Sequence, residues 1–365
     1  MAITAGTGQG GKPRAGAALW IAAATAGLLA LGFRRRSSGF DPVAKAERRD
    51  AAARGRYAGT PSDIPARGWK DILWRVYERL TEDRILAIAA GVTFYTLLAI
   101  FPGIAALVAI YGLFADPSII AKHLDDVASF VPGGAIDVLR DELNRITAQP
   151  PAALGLAFVV GLSISLWSAN AGVKAMIDAL NIAYAEREKR NFIKLNAVSL
   201  VFTLAGIVGV MVALGAMVVL PLALEFLGLQ SATERIVAVA KWPVLFVAAA
   251  FAIAVLYRYG PSRREAKWRW ISWGSAFAAA AWIGLSLLFS WYAADFGSYN
   301  KTYGSLGAVI GFMTWIWIST IVILLGAEFD AEIEHQTCRD STVGPPKPMG
   351  ARGATMADTV GKPAD

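Results

Sequence analysis

Residues 85–115 read ILAIAAGVTFYTLLAIFPGIAALVAIYGLFA, a run of 31 residues without Asp, Glu, Lys or Arg. As a helix it measures about 46 Å, against roughly 30 Å for the hydrocarbon core of a bilayer. Six further uncharged runs lie at 15–33, 148–173, 195–224, 242–257, 270–294 and 303–327. They are rich in Ala, Leu, Val, Ile and Gly without strict alternation, so they predict helices rather than barrel strands. The expected fold class is all-α, a polytopic helical membrane protein with six core transmembrane helices.

The composition excludes the other broad classes of protein. Hydrophobic residues make up 56% of the chain and charged residues only 17%, whereas a soluble domain carries about a quarter charged residues. The single cysteine, Cys338, rules out a disulfide scaffold or a cysteine-based zinc cluster within one chain. The net charge of +7 comes from clustered Lys and Arg, which in a membrane protein indicates orientation before it indicates nucleic-acid binding.

The distribution of Lys and Arg predicts the topology. Segment 34–84 holds 13 of them, and the connectors 174–194 and 258–269 hold 5 each. The alternate connectors are poorer, with 3 in 116–147, 2 in 225–241 and 1 in 295–302. Because cytoplasmic loops carry the Lys/Arg excess, the first group is expected inside and the second outside. Both ends of the six-helix core are then cytoplasmic.

The first uncharged run, 15–33, is expected to be an extra N-terminal transmembrane helix, with a cleaved signal peptide as the alternative. Arg34, Arg35 and Arg36 stand where a cleavage site would be needed, which favours the helix. The expected organisation is a flexible N-terminus (1–14), the extra helix (15–33), a cytoplasmic linker (34–66), the six-helix membrane domain (67–336) and a disordered cytoplasmic tail (337–365).

Amphipathic helices are predicted on both sides of the membrane. Apolar residues between Trp69 and Leu80 recur at helical spacing, with charges on the other face, which predicts a helix lying in the inner interface. The outer connector 116–147 carries two such stripes separated by Pro132 and two glycines. They predict two short helices that lie on the lipid or cover a cavity.

A polar path is predicted along the helices. Pro102 removes a backbone hydrogen bond in the middle of the first core run and should kink or break it. The second core run carries polar residues at spacings of 7, 4, 4 and 3, which place them on one helical face. The candidate path comprises Tyr95, Pro102, Ser163, Asn170, Lys174, Asp178, Asn181 and Glu328. The alternatives are a packing kink and a helix end that is simply solvated.

Two further expectations concern the last core run. Glu328 follows its inner end, where an acid opposes the helix macrodipole, so a cation such as Lys174 or Arg258 should neutralise it. Gly304, Gly307 and Gly311 recur at i, i+3 and i+7, which predicts a surface for close helix packing.

Three blocks of sequence carry a family resemblance. They are LAIAAGVTFYTLLAIFP at 86–102; WSAN at 167–170 with ALNIAY at 179–184; and YGSLG at 303–307 with WIW at 315–317 and GAE at 326–328. In these blocks, and over about 68–336, the chain resembles the YihY/BrkB family of membrane proteins, once labelled ribonuclease BN. The resemblance implies six membrane helices in the bacterial inner membrane.

The nuclease label does not suit the residues. Metal-dependent cleavage needs clustered histidine and carboxylate ligands, but the chain has only His123 and His335, which the topology places on opposite sides. No enzyme activity, metal or other cofactor, or nucleic-acid partner is therefore expected. The function expected is movement of a lipid or another amphiphile across the bilayer, without nucleotide hydrolysis. The alternative is a membrane scaffold or envelope-assembly factor. Membrane lipids are the expected partners, and self-association is left open.

Overall fold

The computed structural model describes residues 42–111, 156–226, 230–295 and 305–364. The chain divides into two units, 1–51 and 52–365, and helix α1 (Pro42–Ala53) holds the described residues of the first. The expected extra helix at 15–33 and the expected outer helices in 116–147 lie outside the described ranges. Those expectations therefore remain predictions.

The described part of the second unit is built from helices. They are α2 (Ala66–Glu82), α3 (Ile85–Tyr111), α4 (Leu156–Ala183), α5 (Phe192–Phe226), α6 (Gln230–Tyr259), α7 (Trp268–Asp295), α8 (Ser305–His335) and α9 (Thr355–Asp358), with a 3₁₀ turn at Pro61–Asp63. Within these ranges the extended pairing is a single bridge between Ala266 and Thr342. The predicted all-α class is confirmed.

Five described helices are long and apolar enough to cross a membrane. The candidate spans are Ile85–Leu107, Phe192–Ala213, Trp242–Tyr259, Trp268–Tyr292 and Val309–His335. The remaining predicted core span, 148–173, begins outside the described ranges, and its described part opens α4. Large apolar side chains such as Phe94, Val212 and Phe251 are exposed on these helices, as expected for surfaces that face lipid.

Small residues set the closest helix contacts. At Gly172 on α4, an added Cβ would lie 3.2 Å from Thr96 Cα on α3 and 3.3 Å from Ala99 Cβ. A larger side chain at this position would push the two helices apart, and α3 and α4 do form the most extensive helix pair of the described fold. Helix α8 packs against α7, α3 and α2 and so occupies the centre of the described part of the second unit.

Helix α2 forms where the amphipathic pattern predicts a helix, but its buried face differs from the prediction. Ile72 and Val76 are buried as expected, whereas Tyr77 of the same apolar stripe is 66% exposed. Asp71 and Arg75, assigned to the solvated face, are buried. The reason is that Arg75 pairs with Glu332 on α8, while Asp71 pairs with Arg54 in the segment before α2. Helix α2 therefore contacts protein on a side that the pattern assigns to water.

The tail after Gln336 is ordered in the structure, unlike the disordered tail expected from its Gly, Pro and Ala content. Arg352 is buried and donates to the backbone oxygens of Cys338 and Ala357, at 2.7 and 2.6 Å. The Asp358 carboxylate accepts from three backbone N–H groups, those of Gly350, Arg352 and Gly353. Side chains that satisfy backbone groups thus hold an irregular segment for which regular periodicity gives no signal.

Candidate functional site

Two loops and the tail meet at one end of the helices, which we call the basic end: residues 184–191, 260–267 and 337–364. The N–H of Lys189 donates to Ser262 Oγ at 2.9 Å, joining the first loop to the second. The N–H of Thr355 donates to Glu186 Oε1 at 2.6 Å, joining the tail to the first loop. The connectors 174–194 and 258–269, predicted to share one side of the membrane, therefore lie together.

Asn181 ties the two loops together at the end of α4. Its Oδ1 accepts from the N–H of Ser262 at 2.7 Å, and its Nδ2 donates to Glu188 Oε2 at 3.0 Å. Its side chain is buried, so these bonds satisfy groups that would otherwise be costly to desolvate. The structure gives Asn181, a member of the predicted path, the role of a bridge between loops.

Glu188 and Arg190 form the second link within the basic end. Arg190 Nε donates to Glu188 Oε1 and Nη2 to Oε2, both at 2.8 Å, and Nη2 also donates to the Gly260 carbonyl at 2.7 Å. The hydrogen bonds from Arg190 lower the pKa of Glu188 to about 2. The ion pair thus remains formed over the whole physiological pH range and holds the first loop against the end of α6.

A groove of about 850 Å³ opens beside this link, between α5, α6 and the second loop. We call it the α5–α6 groove. Its apolar wall comes from α5 and α6 and consists of Ala197, Val198, Val201, Phe202, Ala205 and Val255. Its other end is lined by the basic residues Lys189, Arg190, Lys194, Arg258, Arg263 and Arg264, together with the carboxylate of Glu265. The groove is therefore apolar along the helices and positive at the loops.

The six cations of the groove differ in their partners. Lys189, Arg190 and Arg263 pair with carboxylates, namely those of Glu186, Glu188 and Glu334. Arg258 lies 4.5 Å from the ring centroid of Trp268 and donates to the Ala266 carbonyl, while its Nε is buried without a hydrogen-bond partner in the described ranges. Lys194 and Arg264 form no ion pair with any described carboxylate. The unneutralised positive charge is concentrated on these three residues.

A second group of charges, which we call the ionic group under α2, is buried where α2 meets α8 and the tail. Arg75 pairs with Glu332 on α8 and donates to Gln336 Oε1 at 2.7 Å and to the Lys362 carbonyl at 2.9 Å. His335 Nδ1 lies 3.3 Å from Glu332 Oε2. These contacts join α2, the end of α8 and the tail through one buried guanidinium, and they account for its burial.

Glu328 lies next to this group and not next to the predicted cations. It is fully buried, and neither carboxylate oxygen accepts a hydrogen bond from a described donor. The charges that act on it come from Asp83, Arg79 and Glu332. Neither Lys174 nor Arg258 pairs with it: Lys174 Nζ lies 4.9 Å from the ring centroid of Trp167, and Arg258 stacks on Trp268.

The other residues of the predicted path are spread over different environments. Asn170 is buried and accepts from Thr203 Oγ1 on α5 at 3.3 Å, whereas Asp178 is exposed. Ser163 is exposed and donates to the carbonyl of Val159 in its own helix. These residues all lie on α4, but the described contacts do not join their side chains with Glu328 in one network.

The first core helix runs through its proline. Helix α3 continues past Pro102 to Tyr111, so the proline does not break it. Tyr95 is 49% exposed, and its ring stacks edge-on against Phe94 at 5.5 Å. Both residues thus lie on α3, and neither forms a hydrogen bond with Glu328 in the described part of the chain.

In the described residues, the closest contact between α7 and α8 is made by Gly274 and Gly326 and not by Gly311. An added Cβ at Gly274 would lie 2.3 Å from the Gly326 carbonyl oxygen, and one at Gly326 would lie 2.6 Å from Ala278 Cβ. An added Cβ at Gly311 would meet no described atom within 4 Å. Gly304 lies outside the described residues, and the surroundings of Gly307 are not described. Of the two α8 glycines whose surroundings are described, Gly326, in the GAE block at 326–328, makes the close contact, and the prediction for Gly304 and Gly307 stays open.

The match to a known family covers most of the chain. Residues 76–349 match the family described as virulence factor BrkB. This chain belongs to the BrkB family. The resemblance seen in the three sequence blocks is thereby confirmed, and the family and the apolar helices together make the chain a multi-pass membrane protein.

Curated relatives of this BrkB-family protein are distant. The ribonuclease-like protein YfkH of Bacillus subtilis is 28% identical over 71% of this chain and 94% of its own length. UPF0761 membrane proteins of Methylibium petroleiphilum and Alkalilimnicola ehrlichii are 27% and 30% identical, over 71% and 70% of this chain. The chain spans only 61% and 56% of the length of those two proteins. No solved structure matches it.

Sequence reasoning missed the α5–α6 groove in this BrkB-family protein. The signal was present, because two of the Lys/Arg-rich connectors supply all six of its cations. Positive-inside bias explained those charges without a site, so their convergence beside an apolar helix face could not be recognised from counts alone. The buried partners of Arg75 were missed because they come from a tail that was expected to be disordered.

Proposed function

We propose that this BrkB-family protein takes up a membrane amphiphile in the α5–α6 groove and moves it across the bilayer without nucleotide hydrolysis. The observation that carries the proposal is the groove itself, which combines an apolar wall with a basic end. Ligand sites in proteins typically measure about 300–1,000 Å³ and combine apolar walls with a few polar groups, and this groove matches that description.

The groove is positioned for entry from the lipid. Helices α5 and α6 touch each other only sparsely, while α5 packs mainly on α4. Val201 on the apolar wall is 65% exposed and lies in a candidate membrane span, as expected for a side chain that faces lipid. An amphiphile could therefore slide its chain along the wall from the side while its headgroup stays at the basic end.

The orientation proposed places the basic end in the cytoplasm and the protein in the bacterial inner membrane. The support is the Lys/Arg excess of the connectors that form this end, which is typical of cytoplasmic loops. The role proposed is not enzymatic: His335, one of two histidines in the chain, is held beside Glu332 in the ionic group under α2.

A scaffold or envelope-assembly role is the second candidate. It is favoured by the ordered tail, which is held by buried hydrogen bonds and gives the basic end a fixed surface for a partner protein. The two roles differ in what happens to lipid, because a scaffold would leave lipid movement unchanged.

The test measures lipid movement in proteoliposomes. Vesicles containing fluorescent phosphatidylglycerol are treated with dithionite, which bleaches the fluorescent lipid in the outer leaflet. Lipid that the protein moves from the inner to the outer leaflet is then bleached as well. We expect faster loss of the protected signal with the wild type, and a reduced rate with Ala205→Trp, which fills the groove wall. Val212→Trp is the matched control, because Val212 is exposed on the same helix outside the groove lining. Rates equal to those of protein-free vesicles would favour the scaffold.

A further inference from the structure

We infer that the basic end of the α5–α6 groove is a headgroup site for lipids that carry a phosphate ester and a net negative charge. Three cations without a carboxylate partner in the described ranges carry this inference: Lys194, Arg258 and Arg264. The inference rests on the proposed uptake of an amphiphile and names its chemical class.

The backbone holds these cations at the mouth of the groove from separate elements. Lys194 stands in the first turn of α5, where its N–H is capped by Asn191 Oδ1 at 2.9 Å. The N–H of Arg264 donates to the Gly353 carbonyl at 3.0 Å, which fixes the second loop against the tail. Convergence of charges from a helix start and a tethered loop is the arrangement that an anion needs, since the helix N-terminus adds a partial positive charge.

Space around Arg264 depends on one glycine. Gly344 has a φ of +100°, and an added Cβ there would lie 2.6 Å from Arg264 Nη2. The tail thus leaves room for the guanidinium where any other residue would displace it. Arg258 adds a guanidinium that lies over the ring of Trp268 and pairs with no carboxylate in the described residues.

The apolar wall argues for a lipid rather than a free phosphate. From Lys194 to Ala205 the helix rises about 16 Å, at 1.5 Å per residue, and the wall residues 197, 198, 201, 202 and 205 recur along one face of α5. A soluble phosphate would fill the basic end and leave this wall exposed. The lining holds six cations and a single carboxylate, that of Glu265, so the ammonium group of a zwitterionic headgroup finds only one anionic partner. The lining therefore favours a headgroup with a net negative charge.

The experiment is native mass spectrometry of the full chain released from nanodiscs made of equal parts phosphatidylglycerol and phosphatidylethanolamine. We expect the wild type to retain phosphatidylglycerol about tenfold over phosphatidylethanolamine, a difference of about 1.4 kcal/mol. In Lys194→Gln with Arg264→Gln, the preference should fall to about one. The matched control is Arg187→Gln with Arg269→Gln, which removes two exposed cations outside the groove lining and should keep the preference.

Further arms distinguish the sources of phosphate and the two proposals. Glycerol phosphate added up to millimolar concentrations should not displace the lipid; if it does, the site is one for soluble phosphate and the lipid inference is wrong. Equal retention of the two lipids by the wild type, or equal loss in the test and control pairs, would also overturn it. Lipid preference without movement in proteoliposomes would leave the headgroup site standing and remove transport. Lipid movement without lipid preference would leave the transport proposal standing and remove the headgroup site.

Discussion

Replacing Gly274 by alanine should destabilise the contact between α7 and α8 strongly. The new Cβ would lie 2.3 Å from the Gly326 carbonyl oxygen and 2.4 Å from Asp330 Cγ, so the helices must separate. Overpacking of this kind costs about 1–3 kcal/mol. The N–H of Gly274 also donates to the buried Asp330 carboxylate at 2.7 Å, and weakening a bond to a charged group costs about 1.5–3 kcal/mol more. Together these costs predict a total loss of about 2.5–6 kcal/mol.

The measurement is thermal unfolding of the purified protein in detergent, followed by tryptophan fluorescence. Gly284→Ala is the control on the same helix, because an added Cβ there meets no described atom within 4 Å. It should be neutral or raise stability by up to about 1 kcal/mol, since alanine is the better helix former. Gly274→Ala should lower the unfolding temperature by about 5 °C or more. Equal unfolding temperatures for the two variants would refute the close-packing argument.

Three further outcomes are expected. Glu188→Gln should destabilise the protein above a pH of about 4.5 but not near pH 2. The pKa of Glu188 is lowered to about 2 in the folded protein, so its stabilising effect is present above the unfolded pKa and is lost as the pH falls through the folded pKa. Unfolding free energies measured as a function of pH check this. Arg352→Ala should speed maleimide labelling of Cys338, whose carbonyl accepts from Arg352, whereas Lys347→Ala on the exposed surface should not; equal rates would contradict the ordered tail. With Cys338→Ser, a single cysteine at the exposed Arg187 should resist an impermeant thiol reagent in intact cells, and labelling would reverse the proposed orientation.

The membrane helices could be predicted because uncharged length is a direct physical requirement of the bilayer. Each candidate span found in the described residues overlaps one of the uncharged runs over most of its length, and α2 begins and ends near the predicted amphipathic segment. The shape of a helix within such a run was harder to infer. Pro102 was expected to kink or break the first core helix; α3 continues through it, packed on α4 and α8.

The partners of charged residues could not be predicted to the same degree. Helical spacing shows which residues share a face, but it does not show which other helix lies opposite that face. Glu328 was expected to meet Lys174 across the bundle, whereas α2 brings Arg79 and Asp83 beside it. Spacing likewise favoured Gly311 for packing, while the contact falls at Gly326, where α7 supplies a facing glycine.

The tail contacts at the basic end have a consequence for how the protein is made. The N–H of Ala364 donates to Asp71, a residue that emerges 293 positions earlier, and the Lys362 carbonyl accepts from Arg75. At about 5–20 residues per second, synthesis separates these partners by roughly 15–60 s. During that interval α2 already exists but Arg75 lacks both Glu332 and the Lys362 carbonyl, so this side of α2 stays hydrated and undocked. The ionic group under α2 can therefore close only after the last of the described membrane helices, α8, has been made, which makes its closure a late step of biogenesis.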